Sequence, residues 1–368
     1  MVQIAGLEVG LPASIEQVDA PWLTAVLRTS GAVGSNGSVK TVSAESFAVG
    51  VGFLSDLYRV SVTYEGQCAG APETVIVKMA TNIEGQRGIA DALSFYQREL
   101  RFYREVAPEI ELATPKVHAA LMSQDNTDFV LVMGDLSSCR SMNQEAGVNV
   151  SDAHLAVSGL AKLHAQYWGK DLTELQTTFL PFDNPIYRAA LPHVFDGGWA
   201  RAKAEAGDLM TDEVIEFGDR FGATVPFFVD SIDGDSTLIH GDWRADNLLV
   251  GDDGELIALD FQIVGTGTAT YDLGYFMSQS VEPEVRREAA ADVVETYFNA
   301  LSAAGINYDR ETLEHVYRLA IAWCLIYPVA SFASWDELPD QARAMARSML
   351  RRSVTAIIDN DCLELIPK

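Results

Sequence analysis

Between Val39 and Met79 apolar and polar residues alternate with the period of two that half-buried strands require, interrupted at Gly50-Val51-Gly52 and at the Glu65-Gly66 turn. Thr74–Met79 is a compact apolar strand with a single charge, Lys78, near its end. A short helix is predicted over 20–29, with Asp19 as its cap and Pro21 in its first turn. A second is predicted over 89–106, and Phe129–Met133 reads as an apolar strand. From about Ser151 the period changes to that of helices. Ser151-Asp152 is expected to cap a helix running to Trp168, and further helices are expected near 282–304, 311–329 and 338–358. Two short strands, Thr237–His240 and Leu256–Phe261, interrupt this helical part. The pattern predicts an α+β protein of two lobes: a small β-rich lobe over 1–135 and a larger helical lobe over 136–368.

The chain has 368 residues, 48% hydrophobic and 21% charged, enough for a sizeable core. Its 52 acidic and 26 basic residues give a net charge of −26, which disfavours nucleic acid and anionic membrane surfaces as partners. Four cysteines without close spacing suggest neither a zinc site nor a disulfide framework. No signal-like N-terminus and no apolar run of bilayer length stand out, so the expected setting is a reducing cytoplasm without membrane insertion.

The chemistry concentrates in Leu238-Ile239-His240-Gly241-Asp242-Trp243-Arg244-Ala245-Asp246-Asn247, followed by Ile257-Ala258-Leu259-Asp260-Phe261. Asp242 and Asn247 lie five apart, and Asp260 follows thirteen later. Asp242 and Asp260 each end an apolar strand, where side chains leave the core for solvent. Phosphoryl transfer asks little covalent work of a protein: an acceptor oxygen placed in line, and cations on the phosphates. A carboxylate to take the hydroxyl proton, with an amide and a second carboxylate for a hard cation, is the minimal set. Arg244 is placed to reach the transferring group or to form a salt bridge within the loop. Lys78 would be unfavourable to bury alone. Glu99 sits on a helix face with Phe95, Tyr96, Phe102 and Tyr103, so each of the two charges supplies what the other lacks.

This arrangement is that of the protein-kinase catalytic loop, with His-Gly-Asp for His-Arg-Asp and Phe261-Gln262 for Phe-Gly. Those replacements resemble the aminoglycoside phosphotransferase and choline kinase superfamily. Asp260-Phe261-Gln262, with Thr270-Tyr271-Asp272-Leu273-Gly274 after it, most resembles the ecdysteroid-kinase-like branch, over roughly residues 45–335. The resemblance implies a bilobal kinase-like fold, ATP and Mg2+ as cofactors, Asp242 as base, and Asn247 and Asp260 as metal ligands. It implies that Glu99 positions Lys78 on the α- and β-phosphates, that Gly50, Gly52 and Ser55 belong to a phosphate-covering turn, and that Met133 and Asp135 offer backbone groups to adenine. Asp272 is expected to bond the catalytic-loop backbone, and His164 to support packing. A protein kinase would need an activation segment after Asp260, for which Thr270-Tyr271-Asp272 comes too soon. A non-catalytic nucleotide-binding module would be marked by loss of Lys78, Asp242 or Asp260, and all three are present.

The acceptor is expected to be a small-molecule alcohol bound by second-lobe helices. Residues 171–235 carry nine aromatics, which favour a steroid- or terpenoid-like alcohol, and thirteen acidic residues against four basic ones, which would suit an aminoglycoside or amino alcohol. A hydroxyacyl-CoA acceptor is a further alternative.

Overall fold

A computed structural model describes residues 2–4, 7–46 and 55–367. Gly50 and Gly52 therefore lie outside the described residues. The chain divides into two compact units, Met1–Cys139 and Arg140–Lys368.

The first unit contains β1 (Val2–Ile4), β2 (Leu7–Val9), α1 (Ala20–Thr29), β3 (Gly37–Ser46), β4 (Ser55–Gly66) and β5 (Thr74–Ala80). It continues with α2 (Glu84–Ala92), α3 (Phe95–Arg101), β6 (Val117–Met122) and β7 (Phe129–Gly134). Five strands form an antiparallel sheet in the order β3-β4-β5-β7-β6. Asp19 caps α1 as expected, its carboxylate accepting from Trp22 N at 2.9 Å. Trp22, Leu23, Val26 and Leu27 of α1 join Val75, Val77, Met79, Val130 and Val132 in one buried cluster. Alternation along β5 then puts Ile76 and Lys78 on the opposite face. The helix expected over 89–106 is broken: Ser94 takes a left-handed φ of 55° between α2 and α3, and Phe102–Val106 widens into a π-turn.

The second unit begins with β8 (Arg140–Ser141), α4 (Val150–Tyr167), α5 (Thr173–Gln176), α6 (Pro185–Ala206), α7 (Asp212–Asp219) and α8 (Phe221–Ser231). Four short strands follow: β9 (Ser236–Ile239), β10 (Leu248–Val250), β11 (Leu256–Ala258) and β12 (Gly265–Thr268). Helices α9 (Thr270–Gln279), α10 (Pro283–Ala303), α11 (Arg310–Trp323), α12 (Ile326–Ser331) and α13 (Asp340–Asp359) complete it. β9 pairs antiparallel with β12, while β10 lies between β8 and β11. The cap of α4 is Asn149, two residues before the expected pair, because its side chain reaches Asp152 N at 2.9 Å. Asp152 instead binds the guanidinium of Arg140.

The helix expected over 311–329 is two. Pro328 has no N–H for the carbonyl of Cys324 and its ring crowds that turn. The Cys324 oxygen accepts from the buried Gln279 amide at 3.1 Å instead. By length and composition the stretch 310–334 is long and apolar enough to cross a membrane, which corrects the expectation that no such run exists. Within the protein 72% of that window is buried, as core helices require. α9 packs against α11 at Gly274, where an added Cβ would lie 2.7 Å from Ala320 Cβ and 3.1 Å from Tyr317 O.

Gly274→Val is therefore expected to destabilise the second unit by about 1–3 kcal/mol, the usual cost of overpacking. Thermal denaturation should show a lowered midpoint, and an unchanged one would contradict the close helix contact.

Candidate active site

Lys78 lies on β5 between Leu57 of β4 and Leu131 of β7, so the middle of the sheet fixes its backbone. Its Nζ donates to Glu99 Oε1 at 2.7 Å, with the two residues 4% and 1% exposed. The pair expected from the sequence is present. Taking both charges from water is costly, and only close geometry offsets it. Ser55 opens β4 opposite Ala80, and its buried Oγ has no partner among the described residues. Met133 is registered against Ile76 and Val117 near the end of β7. The Asp135 carboxylate accepts from Arg59 Nε at 3.0 Å and Ser137 N at 2.9 Å, so its side chain is committed within this unit.

In the second unit the loop between β9 and β10 is held by a buried carboxylate. Asp272 accepts from His240 N at 2.7 Å and Gly241 N at 2.9 Å. His164 Nε2 meets the same group at 3.1 Å and, through Nδ1, Tyr297 OH at 2.8 Å. Both expectations for Asp272 and His164 are thus met. Gly241 takes φ +85°, and a Cβ there would lie 2.6 Å from Ile263 O, which explains glycine within His-Gly-Asp. His240 spans the loop, with Nε2 on Leu259 O at 2.9 Å and Nδ1 accepting from Asp242 N at 3.2 Å.

Asp242 is gripped from three sides. Tyr275 OH donates to Oδ1 at 2.6 Å, while Asn247 Nδ2 and Arg244 Nε donate to Oδ2 at 2.9 and 3.2 Å. Asn247 Nδ2 also reaches Asp242 O at 2.9 Å. With the amide nitrogen committed to Asp242, Oδ1 is the atom of Asn247 left to face a cation. The carboxylate of Asp242 holds the Arg244 guanidinium above its ordinary pKa, with Asp246 and Asp260 adding to the effect. Arg244 is therefore a salt-bridge partner within the loop, one of the two expected alternatives. The strand expected through Phe261 stops at Ala258, because Leu259 N turns to Asn247 O at 2.8 Å and Asp260 adopts φ +61°. A left-handed non-glycine residue costs of order 1 kcal/mol and persists where its surroundings dictate it. Asp242, Arg244, Asn247 and Asp260 thus converge.

Several residues around them carry no sequence signal. Tyr275 lies three residues beyond Asp272 on α9. Burial, then the charge of Asp242, pushes its phenol well above the ordinary pKa, so it stays a donor. Its ring meets Tyr327 at 4.6 Å, Tyr327 bonds Tyr271 through their hydroxyls, and Tyr271 packs on Phe182 at 5.1 Å. Gln144 accepts from Ala245 N at 3.0 Å while its own N donates to Asp246 at 3.0 Å. Most aromatics of 171–235 serve otherwise than expected. Phe179, Phe195, Trp199, Phe217, Phe221 and Phe228 are buried, with Phe195 and Phe221 stacked at 4.0 Å, so they are core and not pocket lining. A cavity of about 360 Å³ in this unit is lined in part by Phe182, Asp183, Arg188, Asp230, Asp233 and Thr268. It lies at the Ser236–Thr268 end of the β9–β12 ribbon, whereas Asp242 follows the Ile239–Gly265 end.

The ecdysteroid kinase-like family model matches residues 49–187 and 194–306. No curated protein matches the chain. Among solved structures, choline kinase from Cryptosporidium parvum is 11% identical with a TM-score of 0.51, covering 87% of this chain and 91% of its own. Plasmodium vivax ethanolamine kinase is 11% identical at 0.50, covering 87% and 81%. The gentamicin complex of APH(2″)-IIa is 16% identical at 0.51, covering 98% and 100%. At these identities the likeness is one of fold, and that fold is the bilobal kinase-like one.

Removing either member of the Lys78–Glu99 pair leaves its partner's charge buried, at an expected cost of about 3–5 kcal/mol. In denaturant unfolding of Lys78→Met, Glu99→Ala and the double variant, the double should cost clearly less than the sum. Additive losses would show that the ion pair contributes nothing to the unit's stability.

Proposed function

The chain belongs to the ecdysteroid kinase-like family, and from that premise we propose that it is an ATP- and Mg2+-dependent phosphotransferase acting on the hydroxyl of a small hydrophobic molecule. Family and fold support the coarser statement, a small-molecule phosphotransferase. The observation that carries the assignment is the oriented carboxylate of Asp242 beside Asn247 and the strained Asp260.

Asp242 accepts the proton of the acceptor hydroxyl as its oxygen attacks the γ-phosphorus. Asn247 Oδ1 and the Asp260 carboxylate suit a hard cation, which takes oxygen ligands and fills its remaining positions from phosphates and water. When bound, Mg2+ would neutralise charge on the β- and γ-phosphates. Lys78, oriented by Glu99, holds the α- and β-phosphates, and the hydroxyl of Ser55, without a partner among the described residues, suits a phosphate oxygen. Backbone groups of Met133 and Asp135 take the adenine.

The aromatic side chains next to Asp242 support a hydrophobic acceptor. Tyr327, partly exposed, offers a ring with a hydroxyl at its tip, and the buried Tyr271 and Tyr275 behind it exclude water that would otherwise hydrolyse ATP. A second reading, an amino sugar or amino alcohol, draws on Asp183, Asp230 and Asp233 around the cavity at the far end of the ribbon.

Two variants separate the assigned roles. Asp242→Asn should bind nucleotide normally while turnover falls by about two to four decades, the range for a lost general base. Asp260→Asn, which tolerates the left-handed backbone, should lose the gain in ATP affinity that magnesium confers. Calorimetry with and without the metal, alongside turnover, checks both, and near-normal turnover of Asp242→Asn would remove it from the base role.

Salt distinguishes the acceptors. For a hydrophobic alcohol kcat/KM should barely change between low and physiological ionic strength, where surface charges are screened beyond about 10 Å. A best acceptor whose KM climbs steeply with salt would favour the amine.

A further inference from the structure

We propose that Tyr275 is a positioning residue for the base, and that its hydroxyl leaves a single site on the Asp242 carboxylate, on Oδ1, for the acceptor's proton. The inference rests on the phosphotransferase reading and deepens it.

A carboxylate offers about four in-plane lone-pair sites. Asn247 Nδ2 and Arg244 Nε take the two on Oδ2, and Tyr275 OH takes one on Oδ1. One remains, beside the phenol. The phenol itself cannot drift. Its ring packs against Tyr327 at 4.6 Å, and Tyr275 is 3% exposed. Its helix is tied to the same loop one turn earlier, where Asp272 holds the N–H groups of His240 and Gly241. Residues three apart share a helix face. A single face of α9 thus fixes the loop backbone through Asp272 and the base side chain through Tyr275.

The proton balance follows. The acceptor O–H bond breaks while its oxygen bonds the γ-phosphorus of the nucleoside triphosphate. The bond from that phosphorus to the bridging oxygen breaks, and nucleoside diphosphate leaves. The proton passes to Asp242 Oδ1 and afterwards to solvent, and Tyr275 keeps its own proton throughout. Without the phenol, Oδ1 has two open sites and the acceptor hydroxyl loses its unique direction, which lowers turnover and leaves binding intact.

Steady-state kinetics of Tyr275→Phe, with its melting point checked against wild type, test this. The expected result is a kcat lowered roughly ten-fold or more, the scale of one hydrogen bond to a charged group, with KM for nucleotide and acceptor unchanged. In an Asp242→Asn background the same change should have no further effect, because the tyrosine acts only through the carboxylate. Unchanged kcat, a loss confined to KM, or additive losses in the double variant would each overturn the proposal. Infrared difference spectra against Asp242→Asn read the hydrogen bonding without turnover, and Tyr275→Phe should shift the Asp242 carboxylate band. An unmoved band overturns the proposal whatever the activity. If the band moves while wild-type protein phosphorylates no alcohol, the phosphotransferase reading fails and the hold of Tyr275 on the carboxylate stands.

Discussion

Asp272 is the point from which the second unit's chemistry is built. It is wholly buried, and its two oxygens receive the N–H groups of His240 and Gly241, with His164 and Tyr297 behind. A loop that must present polar atoms to a ligand cannot satisfy its own backbone through regular pairing, yet a buried N–H left without a partner costs 1–3 kcal/mol. One carboxylate on a rigid helix settles two such groups together. It does so at a residue, Gly241, whose left-handed backbone would otherwise be free to relax. Everything beyond that point inherits its precision: Asp242 follows immediately, and Asn247 is braced against it.

The far side of the loop is secured by a second buried network. Gln144 uses its N–H and side-chain oxygen on Asp246 and Ala245, and its amide nitrogen on Gln279 O at 2.7 Å. Arg352 of α13, itself fully buried, donates to the carbonyls of Gln144, Glu145 and Gln279 and pairs with Glu282. A guanidinium suits this task because its planar fork serves several acceptors without losing charge. The last long helix therefore bears on the catalytic loop through a carbonyl relay. The first unit solves a different problem with the same economy. A strand whose alternate residues feed the α1-covered core turns Lys78 to the other face, where Glu99 meets it.

Acidity is the dominant bulk property of the chain, yet it bears on the site only locally. The carboxylates around Arg244 hold it charged, and Arg244 in turn orients Asp242. Charge at the surface, by contrast, is screened within a Debye length. The aromatic residues divide in the same way. Those of α6, α7 and α8 stack into a core that supports the unit, whereas on α9 Tyr275 brings its hydroxyl to Asp242, and Tyr271 bonds Tyr327 of α12 beside it.

The candidate catalytic segment was legible in the sequence because spacing along the chain is itself chemistry. Asp242, Asn247 and Asp260 sit in a strand–loop–strand whose length admits few geometries, and the alternation in β5 isolates Lys78 as a buried charge needing Glu99. Local rules sufficed for the Asp19 cap and for most elements. They failed where a distant group decided the outcome. Asn149 won the α4 cap because Asp152 had Arg140 to bind. The helix expected over 311–329 broke at Cys324–Leu325, one turn before Pro328, where Gln279 takes the carbonyl of Cys324. Tyr275, Gln144 and Arg352 reach their partners across 33, 101 and 208 residues of chain, contacts that no periodicity encodes. Sequence alone thus determined which groups are the candidates for the chemistry, since that depends on residue type and short spacing. Tertiary structure decided which rings became core and which donors took the lone pairs of the base, because both depend on long-range packing.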